Sequence, residues 1–235
     1  MDLKGKIIVI EGTDGSGKQT QAKLLTQRLE ELGAKVYSKS FPNYDSESSS
    51  LVKMYLNGEI SSSVSDVSAK AASVFYAADR YVTYKKEIEP LYKTGEHTFV
   101  FDRYVESNII HQGAKMLTQD GDEKTNNANL SDFVEWVSSL EYNDMAIPRP
   151  DLTIYLYVPI EYTIKMRENR ANKSNGEAKQ DIHESNVDYL KSACKTGLLA
   201  AKKYNWQVIN CVENDILRSI EDISEEIFTI IKNNL

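Results

Sequence analysis

The stretch Lys6–Glu11, KIIVIE, runs directly into Gly12–Thr20, GTDGSGKQT, and this junction decides the fold. The apolar, β-branched run predicts a buried strand, and apolar residues at helical spacing predict a helix over Thr20–Leu32. Between them stands the pattern GxxxxGK. Glycines let backbone N–H groups surround phosphate oxygens, the helix N-terminus attracts anions, and the lysine reaches the terminal phosphates. A glycine-rich turn without a ligand is the alternative. The flanking strand and helix favour a nucleotide-binding phosphate loop, which comprises Gly12, Thr13, Asp14, Gly15, Ser16, Gly17, Lys18, Gln19 and Thr20.

One position of this loop departs from the usual pattern. Gln19 stands where a Ser or Thr hydroxyl normally binds Mg²⁺, and an amide oxygen is a weaker ligand for this ion. The Mg²⁺ that accompanies ATP is therefore expected to use Asp14, Asp102 or Thr20, together with water and phosphate oxygens.

Along the rest of the chain, short β-branched stretches alternate with longer amphipathic ones, which predicts βαβ units around a parallel sheet. Further strands are predicted at Lys35–Ser40, Thr98–Asp102, Leu152–Val158 and Gln207–Asn210. The first, third and fourth strands are almost continuously apolar and should be central. Further helices are predicted at Ser68–Tyr92, Ser131–Tyr142, Glu161–Arg170, Asp181–Tyr204 and Ser219–Asn233.

Three stretches lack periodicity and are expected to be irregular, namely Tyr44–Ser50, Thr118–Asn129 and Asn172–Gln180. The second could be a surface loop or part of an acidic patch. No internal repeat and no linker is visible in the chain. We therefore predict one α/β domain over residues 1–235.

The composition narrows the class of protein. The 235 residues contain 28 Lys+Arg against 35 Asp+Glu, a formal net charge of −7, which argues against binding a nucleic-acid polymer. Cys194 and Cys211 are too few for a disulfide framework and have no partner at metal-ligand spacing, so reduced cysteines and a cytoplasmic location are expected. The apolar run that stops at Glu11 is too short for a membrane span or a signal peptide, so no membrane partner is expected.

A second anion-binding signal stands at the end of the third predicted strand. Asp102 and Arg103 follow the apolar residues of that strand. They therefore lie at the carboxyl edge of the sheet, where open α/β folds bind ligands. A guanidinium can bind two phosphate oxygens at once, although a strand-end Asp-Arg can also be a structural ion pair.

Several motifs occur in a fixed order across nearly the whole chain. They are Glu11–Lys18 (EGTDGSGK), Phe41–Tyr44 (FPNY), Tyr76–Arg80 (YAADR), Asp102–Asn108 (DRYVESN) with Gln112-Gly113, Arg149–Asp151 (RPD) and Asp181–Glu184 (DIHE). In this ordered set the chain resembles the thymidylate kinase family, whose members phosphorylate dTMP to dTDP with ATP and Mg²⁺. The resemblance implies the P-loop nucleoside monophosphate kinase fold, a five-stranded parallel sheet flanked by helices with a short lid at about 167–181. It also implies a homodimer.

The resemblance also assigns roles to individual residues. It implies that Asp14 contacts the sugar 3′-hydroxyl of dTMP and that Tyr44 and Arg103 contact its phosphate. It also implies that Tyr76 stacks on the thymine base. Arg80 and Asn108 would hydrogen-bond the edge of the base. His111 stands where many members carry a Tyr near the sugar 2′ position. The complete implied dTMP site is Asp14, Phe41, Tyr44, Tyr76, Arg80, Arg103, Ser107, Asn108, His111 and Gln112.

Two of these assignments have structural alternatives. Tyr76 lies among Val74, Phe75 and Ala77, so it could be a core residue, and Phe75 could be the stacking ring instead. Arg80 could lie on the helix surface and pair with Glu87 or Asp79.

The catalytic charge is expected to come from Lys18, Arg103, Arg167 and Arg170. Gly15 occupies the loop position where some members of the family carry an arginine, so the lid would have to supply this charge. Arg167 and Arg170 are three residues apart at the end of a predicted helix, so both could face the same phosphates. A solvated basic helix terminus is the alternative.

The sequence thus predicts in-line phosphoryl transfer from ATP to dTMP. The alternatives are another deoxynucleoside or nucleoside monophosphate kinase of the same fold, or a catalytically silent nucleotide-binding protein.

Overall fold

A five-stranded parallel sheet forms the centre of the protein in the computed structural model, which describes residues 2–61, 63, 66–117, 123–164 and 187–235. Its strand order is β2-β3-β1-β4-β5, so the predicted α/β fold and the three predicted central strands are confirmed. The strands are β1 (Ile7–Gly12), β2 (Lys35–Ser40), β3 (His97–Asp102), β4 (Leu152–Tyr157) and β5 (Gln207–Asn210). A small antiparallel hairpin follows, with strands β6 (Val212–Glu213) and β7 (Ile216–Leu217).

Helices cover both faces of this sheet. The longer ones are α1 (Lys18–Glu31), α2 (Ser50–Leu56), α3 (Ala69–Thr83), α4 (Glu123–Ser138), α5 (Val187–Lys203) and α6 (Ile220–Asn234). Short helical segments occupy Glu47–Ser49, Glu89–Tyr92, Val105–Ser107 and Gly113–Met116. Three π-helical turns occupy Tyr84–Ile88, Asn108–Gln112 and Ser139–Asp144.

The period-two alternation of each strand divides the core into layers. In β1, Ile8 and Ile10 pack with residues of α1 and α6, whereas Ile7 and Val9 pack with residues of α4 and of the π-helical turn Tyr84–Ile88. A third cluster joins β4 to α5 through Tyr155. Burial on both faces explains why these strands read as continuous apolar runs.

Some predicted boundaries were wrong. Residues 123–129 belong to α4, although the sequence predicts an irregular stretch there, and the unpredicted α2 begins at Ser50. The predicted helix Ser68–Tyr92 is continuous through Pro90, but the π-helical turn Tyr84–Ile88 interrupts its α-helical spacing. Residues 160–164 are helical; the remainder of the predicted helix Glu161–Arg170 lies outside the described residues.

Within the described part of the chain, no helix is long and apolar enough to cross a membrane. Cys194 and Cys211 are both buried and are not disulfide-bonded to each other.

Candidate active site

The predicted phosphate loop joins the end of β1 to the start of α1. A Cβ atom on Gly12 would overlap Ser16 Oγ and would lie 2.9 Å from the carbonyl oxygen of Leu156 in the neighbouring strand. Only glycine therefore fits at Gly12, where the chain leaves the sheet. Since α1 begins at Lys18, the N-terminus of this helix faces the loop and can bind an anion there.

Lys18 is held against its own loop. Its Nζ donates a hydrogen bond to the carbonyl oxygen of Thr13 at 3.1 Å and lies 3.8 Å from Asp14 Oδ1. Burial, and secondarily the positive charge of Arg103, lowers the pKa of Lys18 to about 8. Lys18 is thus a buried cation that an anion such as phosphate would stabilise.

Arg103 connects the phosphate loop to the rest of the site. It follows β3 with a left-handed φ of 68°, an uncommon conformation for a residue other than glycine. Its guanidinium contacts the carboxylate of Asp14, and its Nη1 lies 2.8 Å from Nε2 of His111. A guanidinium can only donate, so Nε2 accepts and the neutral His111 ring carries its proton on Nδ1. Although burial favours a lower pKa, the carboxylates of Asp14 and Glu11 keep the pKa of Arg103 raised.

Glu11 holds the segment after β3 against β1. It is fully buried, and its carboxylate accepts hydrogen bonds from the backbone N–H of Tyr104 at 2.9 Å and from Ser107 Oγ. Burial raises the pKa of Glu11. The sequence contains Glu11 in its first motif, yet no role follows for it until the fold brings Tyr104 and Ser107 alongside.

Asp102 presents one unused carboxylate oxygen at the same edge of the sheet. Its Oδ2 accepts a hydrogen bond from Ser40 Oγ at 3.0 Å. Its Oδ1 is buried and has no hydrogen-bond partner among the described residues. Of the three predicted metal ligands, Asp102 has the clearest free acceptor, because Asp14 contacts Arg103 and Thr20 is exposed on α1. No group of three His, Cys, Asp or Glu residues in the described ranges could hold a metal.

A cleft opens beside Arg103 and contains every residue predicted to bind dTMP. It is concave and partly open to solvent. The lining consists of the ten predicted residues, Asp14, Phe41, Tyr44, Tyr76, Arg80, Arg103, Ser107, Asn108, His111 and Gln112, with Pro42, Leu56 and Tyr189 in addition. Pro42 belongs to a motif found in the sequence. Leu56 and Tyr189 stand in stretches without a motif, so no local signal identifies them.

The two aromatic candidates on α3 occupy different places. Tyr76 lines the cleft, and its ring packs edge-on against the buried ring of Tyr55, with centroids 6.5 Å apart and planes at 88°. Phe75 does not line the cleft and instead packs with Tyr55 in the small apolar cluster behind it. The predicted register of Tyr76 is therefore the one that faces the cleft.

Arg80 has a different partner from those considered in the sequence. It forms a buried two-point ion pair with Glu141, with Nε to Oε2 at 2.6 Å and Nη2 to Oε1 at 2.9 Å. The suggested pairs with Glu87 or Asp79 are absent from the described ion pairs. Glu87 binds Tyr37 and Lys39, and the Asp79 carboxylate accepts from the backbone N–H of Asn43. The sequence separation of 61 residues hid Glu141 from sequence analysis.

The predicted lid lies outside the described residues. This applies to Arg167, Arg170 and the motif Asp181–Glu184, so their predicted roles stay predictions. Of the predicted catalytic residues, the structure brings Lys18 and Arg103 together through the carboxylate of Asp14.

Comparison with known proteins agrees with this arrangement. The sequence model of the family described as thymidylate kinase matches residues 10–227. A probable thymidylate kinase from Caldivirga maquilingensis is 31% identical over 219 residues, covering 91% of this chain and 92% of the relative. One from Pyrococcus abyssi is 30% identical over 234 residues, covering 99% and 98%. The solved thymidylate kinase from Candida albicans has the same fold, with a TM-score of 0.69 at 21% identity, covering 100% of this chain and 94% of that one. The chain therefore belongs to the thymidylate kinase family.

Proposed function

We propose that the protein transfers the terminal phosphoryl group of ATP to dTMP, producing ADP and dTDP. The observation that carries this proposal is the position of the cleft. The ten residues predicted for dTMP line one cleft, and two of them, Asp14 and Arg103, also contact each other at the phosphate loop. An acceptor in this cleft would have its phosphate beside the loop that binds the donor.

The proposed site assigns each part of both nucleotides to a group of residues. The loop Gly12–Thr20 would bind the phosphates of ATP. Arg103 and Tyr44 would bind the phosphate of dTMP, and Asp14 the sugar hydroxyl. Tyr76 would stack on the base, while Arg80 and Asn108 would read its edge.

The chemistry requires charge neutralisation more than proton transfer. The acceptor is a phosphate monoester with a second pKa of about 6, so its oxygen is already largely anionic at neutral pH. What remains is to align two polyanions and to stabilise the charge spread over the transferring group. Lys18, which is buried, and Arg103, which is half-buried, are the cations beside the phosphate loop that would do this, and we propose that Arg167 and Arg170 add to them from a lid at about 167–181.

We propose that Asp102 holds the Mg²⁺ that enters with ATP. The support is the buried Oδ1 atom without a described partner, since Mg²⁺ prefers carboxylate oxygen and retains several waters. When bound, the ion would neutralise charge on the phosphates of ATP. Thr20 and Asp14 are weaker candidates, because Thr20 is exposed and Asp14 contacts Arg103.

The remaining expectations concern the whole chain. We propose that residues 1–235 form one domain and that two copies form a homodimer, as the family resemblance implies. The cytoplasmic location expected from the sequence stays a prediction.

A coupled assay of ADP release across a panel of acceptors tests the proposed activity. The panel contains dTMP, dUMP, dCMP, dGMP and thymidine, with ATP and Mg²⁺. We expect a wide preference for dTMP. A preference for another acceptor would favour a different kinase of the same fold, and no turnover with any acceptor would favour a silent nucleotide-binding protein. Lys18→Met is the matched control, because it removes the loop cation and should abolish turnover with every acceptor.

A further inference from the structure

A fully buried carboxylate lies under the base end of the cleft. Glu141 is 0% exposed and belongs to the π-helical turn Ser139–Asp144, which follows α4. Its two oxygens accept hydrogen bonds from two residues that line the cleft, Arg80 and Asn108. Glu141 is not itself part of the cleft lining.

The ion pair with Glu141 uses one edge of the Arg80 guanidinium. Nε and Nη2 donate to the two carboxylate oxygens at 2.6 Å and 2.9 Å. Within the described residues, Nη1 has no hydrogen-bond partner, and it is not one of the buried atoms sealed from solvent. Because Arg80 lines the cleft, Nη1 is the donor that it offers to a ligand.

The same carboxylate fixes the orientation of the Asn108 side chain. Nδ2 of Asn108 donates to Glu141 Oε1 at 2.8 Å and to the carbonyl oxygen of Ser73 at 3.2 Å. Turning the amide over would place its oxygen against two groups that can only accept, which is unfavourable. Oδ1 is therefore left without a partner in the described part of the chain, and it is the acceptor that Asn108 offers to the cleft.

We propose that Glu141 is a positioning residue that sets the order of donor and acceptor on the base-reading edge of the cleft. The inference rests on the proposed function. A donor from Arg80 beside an acceptor from Asn108 matches the C4 carbonyl and the N3–H of thymine. Cytosine presents an amino group and an unprotonated nitrogen at the same positions, so it is mismatched at both.

A merely structural role would not require this carboxylate. Apolar side chains of similar volume can join packed elements as well as a buried ion pair does. Only a group with two acceptors can satisfy Arg80 and the Asn108 amide together and still leave Nη1 and Oδ1 for a ligand. The negative charge of Glu141 also offsets the burial of Arg80 and keeps the pKa of Arg80 raised.

The substitution Glu141→Gln tests the proposal because it keeps the shape and removes one acceptor. Oε1 accepts from both Arg80 Nη2 and Asn108 Nδ2, whereas Oε2 accepts from Arg80 Nε alone, so an amide in either orientation places an N–H group against a donor of Arg80. The guanidinium would then leave its two-point pair, and Nη1 would no longer be fixed as the donor for the C4 carbonyl of thymine. We expect the ratio of dTMP to dCMP affinity, measured by calorimetry, to fall by about 10- to 100-fold, mainly through weaker dTMP binding.

Two further variants make the test specific. Glu106→Gln is the matched control, since Glu106 is also buried and accepts from Tyr142 in the same π-helical turn, yet it does not line the cleft. Its affinity ratio should equal that of the wild type. Glu141→Asp keeps the charge but is one methylene shorter, so its carboxylate no longer reaches the donors of Arg80 and Asn108 and the ratio should fall as well; this variant keeps the test decisive if the Gln variant fails to fold.

The outcomes separate this inference from the proposed function. A wild-type protein that does not bind or phosphorylate dTMP overturns the proposed function. A wild type that prefers dTMP, with an unchanged ratio in Glu141→Gln, overturns the role of Glu141 alone. A ratio that is unchanged in Glu141→Asp overturns it as well.

Discussion

Arg103 joins the two halves of the site through a single guanidinium. It contacts Asp14 in the phosphate loop and His111 at the cleft, and its left-handed backbone conformation is stabilised by a hydrogen bond from its own N–H to the carbonyl oxygen of Ile10 at 3.1 Å. Strained backbone at such a position is typical of functional sites. An acceptor phosphate beside Arg103 would be held close to Lys18.

The substitution Arg103→Ala should therefore separate ATP binding from turnover. We expect the affinity for a non-hydrolysable ATP analogue to change by only a few-fold, while turnover with dTMP falls by at least about 100- to 1,000-fold. Steady-state kinetics and calorimetry measure the two quantities. Arg28→Ala, which removes a half-buried arginine that pairs with Glu225 and does not line the cleft, is the control and should leave both unchanged. Wild-type kinetics in Arg103→Ala would exclude the assigned role.

The lowered pKa of Lys18 predicts an alkaline limit to kcat/KM for ATP, above which this rate constant declines. The pKa of Lys18 is about 8 in the free protein, so the cation is lost as the pH rises through this value. Because kcat/KM reports the ionisation of the free enzyme, kcat/KM for ATP should decline above pH of about 8. Bound phosphates stabilise the ammonium, so the decline in kcat should lie at higher pH. In Lys18→Arg the limit should disappear, because a guanidinium stays protonated. A decline that persists unchanged in this variant would assign it to another group.

At the scale of single residues, the sequence predicts most of the residues that line the cleft. It does not predict Glu141, which holds two of them in position. Nine of the ten predicted cleft residues stand in motifs whose order is recognisable in the chain, and His111 lies between two of these motifs. Glu141 could not be found in this way, because its contacts with Arg80 and Asn108 span 61 and 33 residues and depend on how α3 and α4 pack. A lone Glu between a leucine and a tyrosine carries no local signal of burial.

At the scale of secondary-structure elements, the apolar pattern predicts strands better than helix starts. All five strands of the sheet are predicted within one residue at each end, and burial on both faces makes the three central ones, β1, β3 and β4, almost continuously apolar. Helix α4 begins at Glu123, yet its first turns are polar, and of Thr125–Asn129 only Asn126 is buried. Periodicity cannot detect a helical segment that buries so little apolar surface.

The π-helical turns are another feature that spacing cannot predict. One carries Asn108 and His111, and another carries Glu141. Each adds a residue to a helical turn and so shifts which side chains share a face. The two turns are therefore the elements that bring Asn108 and Glu141 within hydrogen-bond distance.

Gly197 tests the packing of a helix on the sheet. A Cβ atom at Gly197 in α5 would overlap the hydroxyl of Tyr155 in β4 and lie 2.5 Å from its Cζ. Helix propensity alone would make Gly197→Ala stabilising by up to about 1 kcal/mol. Overpacking against a fully buried ring should exceed this gain, and we expect a net destabilisation of about 1–3 kcal/mol in chemical denaturation.

The double variant Gly197→Ala/Tyr155→Phe provides the control for this steric explanation. Removing the hydroxyl takes away the nearest of the overlapping atoms. The loss in free energy of unfolding of the double variant should therefore be smaller than the sum of the losses of the two single variants. Strict additivity, or a stabilised Gly197→Ala, would contradict the close approach of α5 to β4.

At the scale of the whole molecule, a protein with a net charge of −7 places two guanidinium groups side by side in one cleft. Arg80 and Arg103 are the two arginines of the described cleft, and each is neutralised by a carboxylate, Glu141 or Asp14. Overall charge excludes an extended basic surface for nucleic acid but says nothing of a focused anion site. The local pairing of the arginines, which composition does not show, decides what the molecule can bind.

The free energy of unfolding should depend on pH because of another buried carboxylate, that of Glu106. Its Oε1 accepts from the Tyr142 hydroxyl at 2.7 Å, and its Oε2 is buried without a partner in the described ranges. Burial, followed by the charge of Glu11, raises the pKa of Glu106 to about 7 from its ordinary value of 4.5. Between these two values the folded protein binds a proton that the unfolded chain releases, so the free energy of unfolding falls as the pH rises across this window.

Glu106→Gln should remove this dependence, because an amide keeps the shape of the protonated acid and does not titrate. At pH 5 the variant and the wild type should have similar free energies of unfolding. By pH 8 the variant should be more stable, by up to about 3 kcal/mol, since each pKa unit corresponds to about 1.4 kcal/mol. Urea denaturation at several pH values measures the difference. Glu96→Gln is the control, because Glu96 is exposed and its partner Lys35 lowers its pKa, so any change should appear only at acidic pH. If the wild type and Glu106→Gln gave parallel curves from pH 5 to 8, Glu106 would already be ionised in the folded protein, and its burial would have to be offset by a cation.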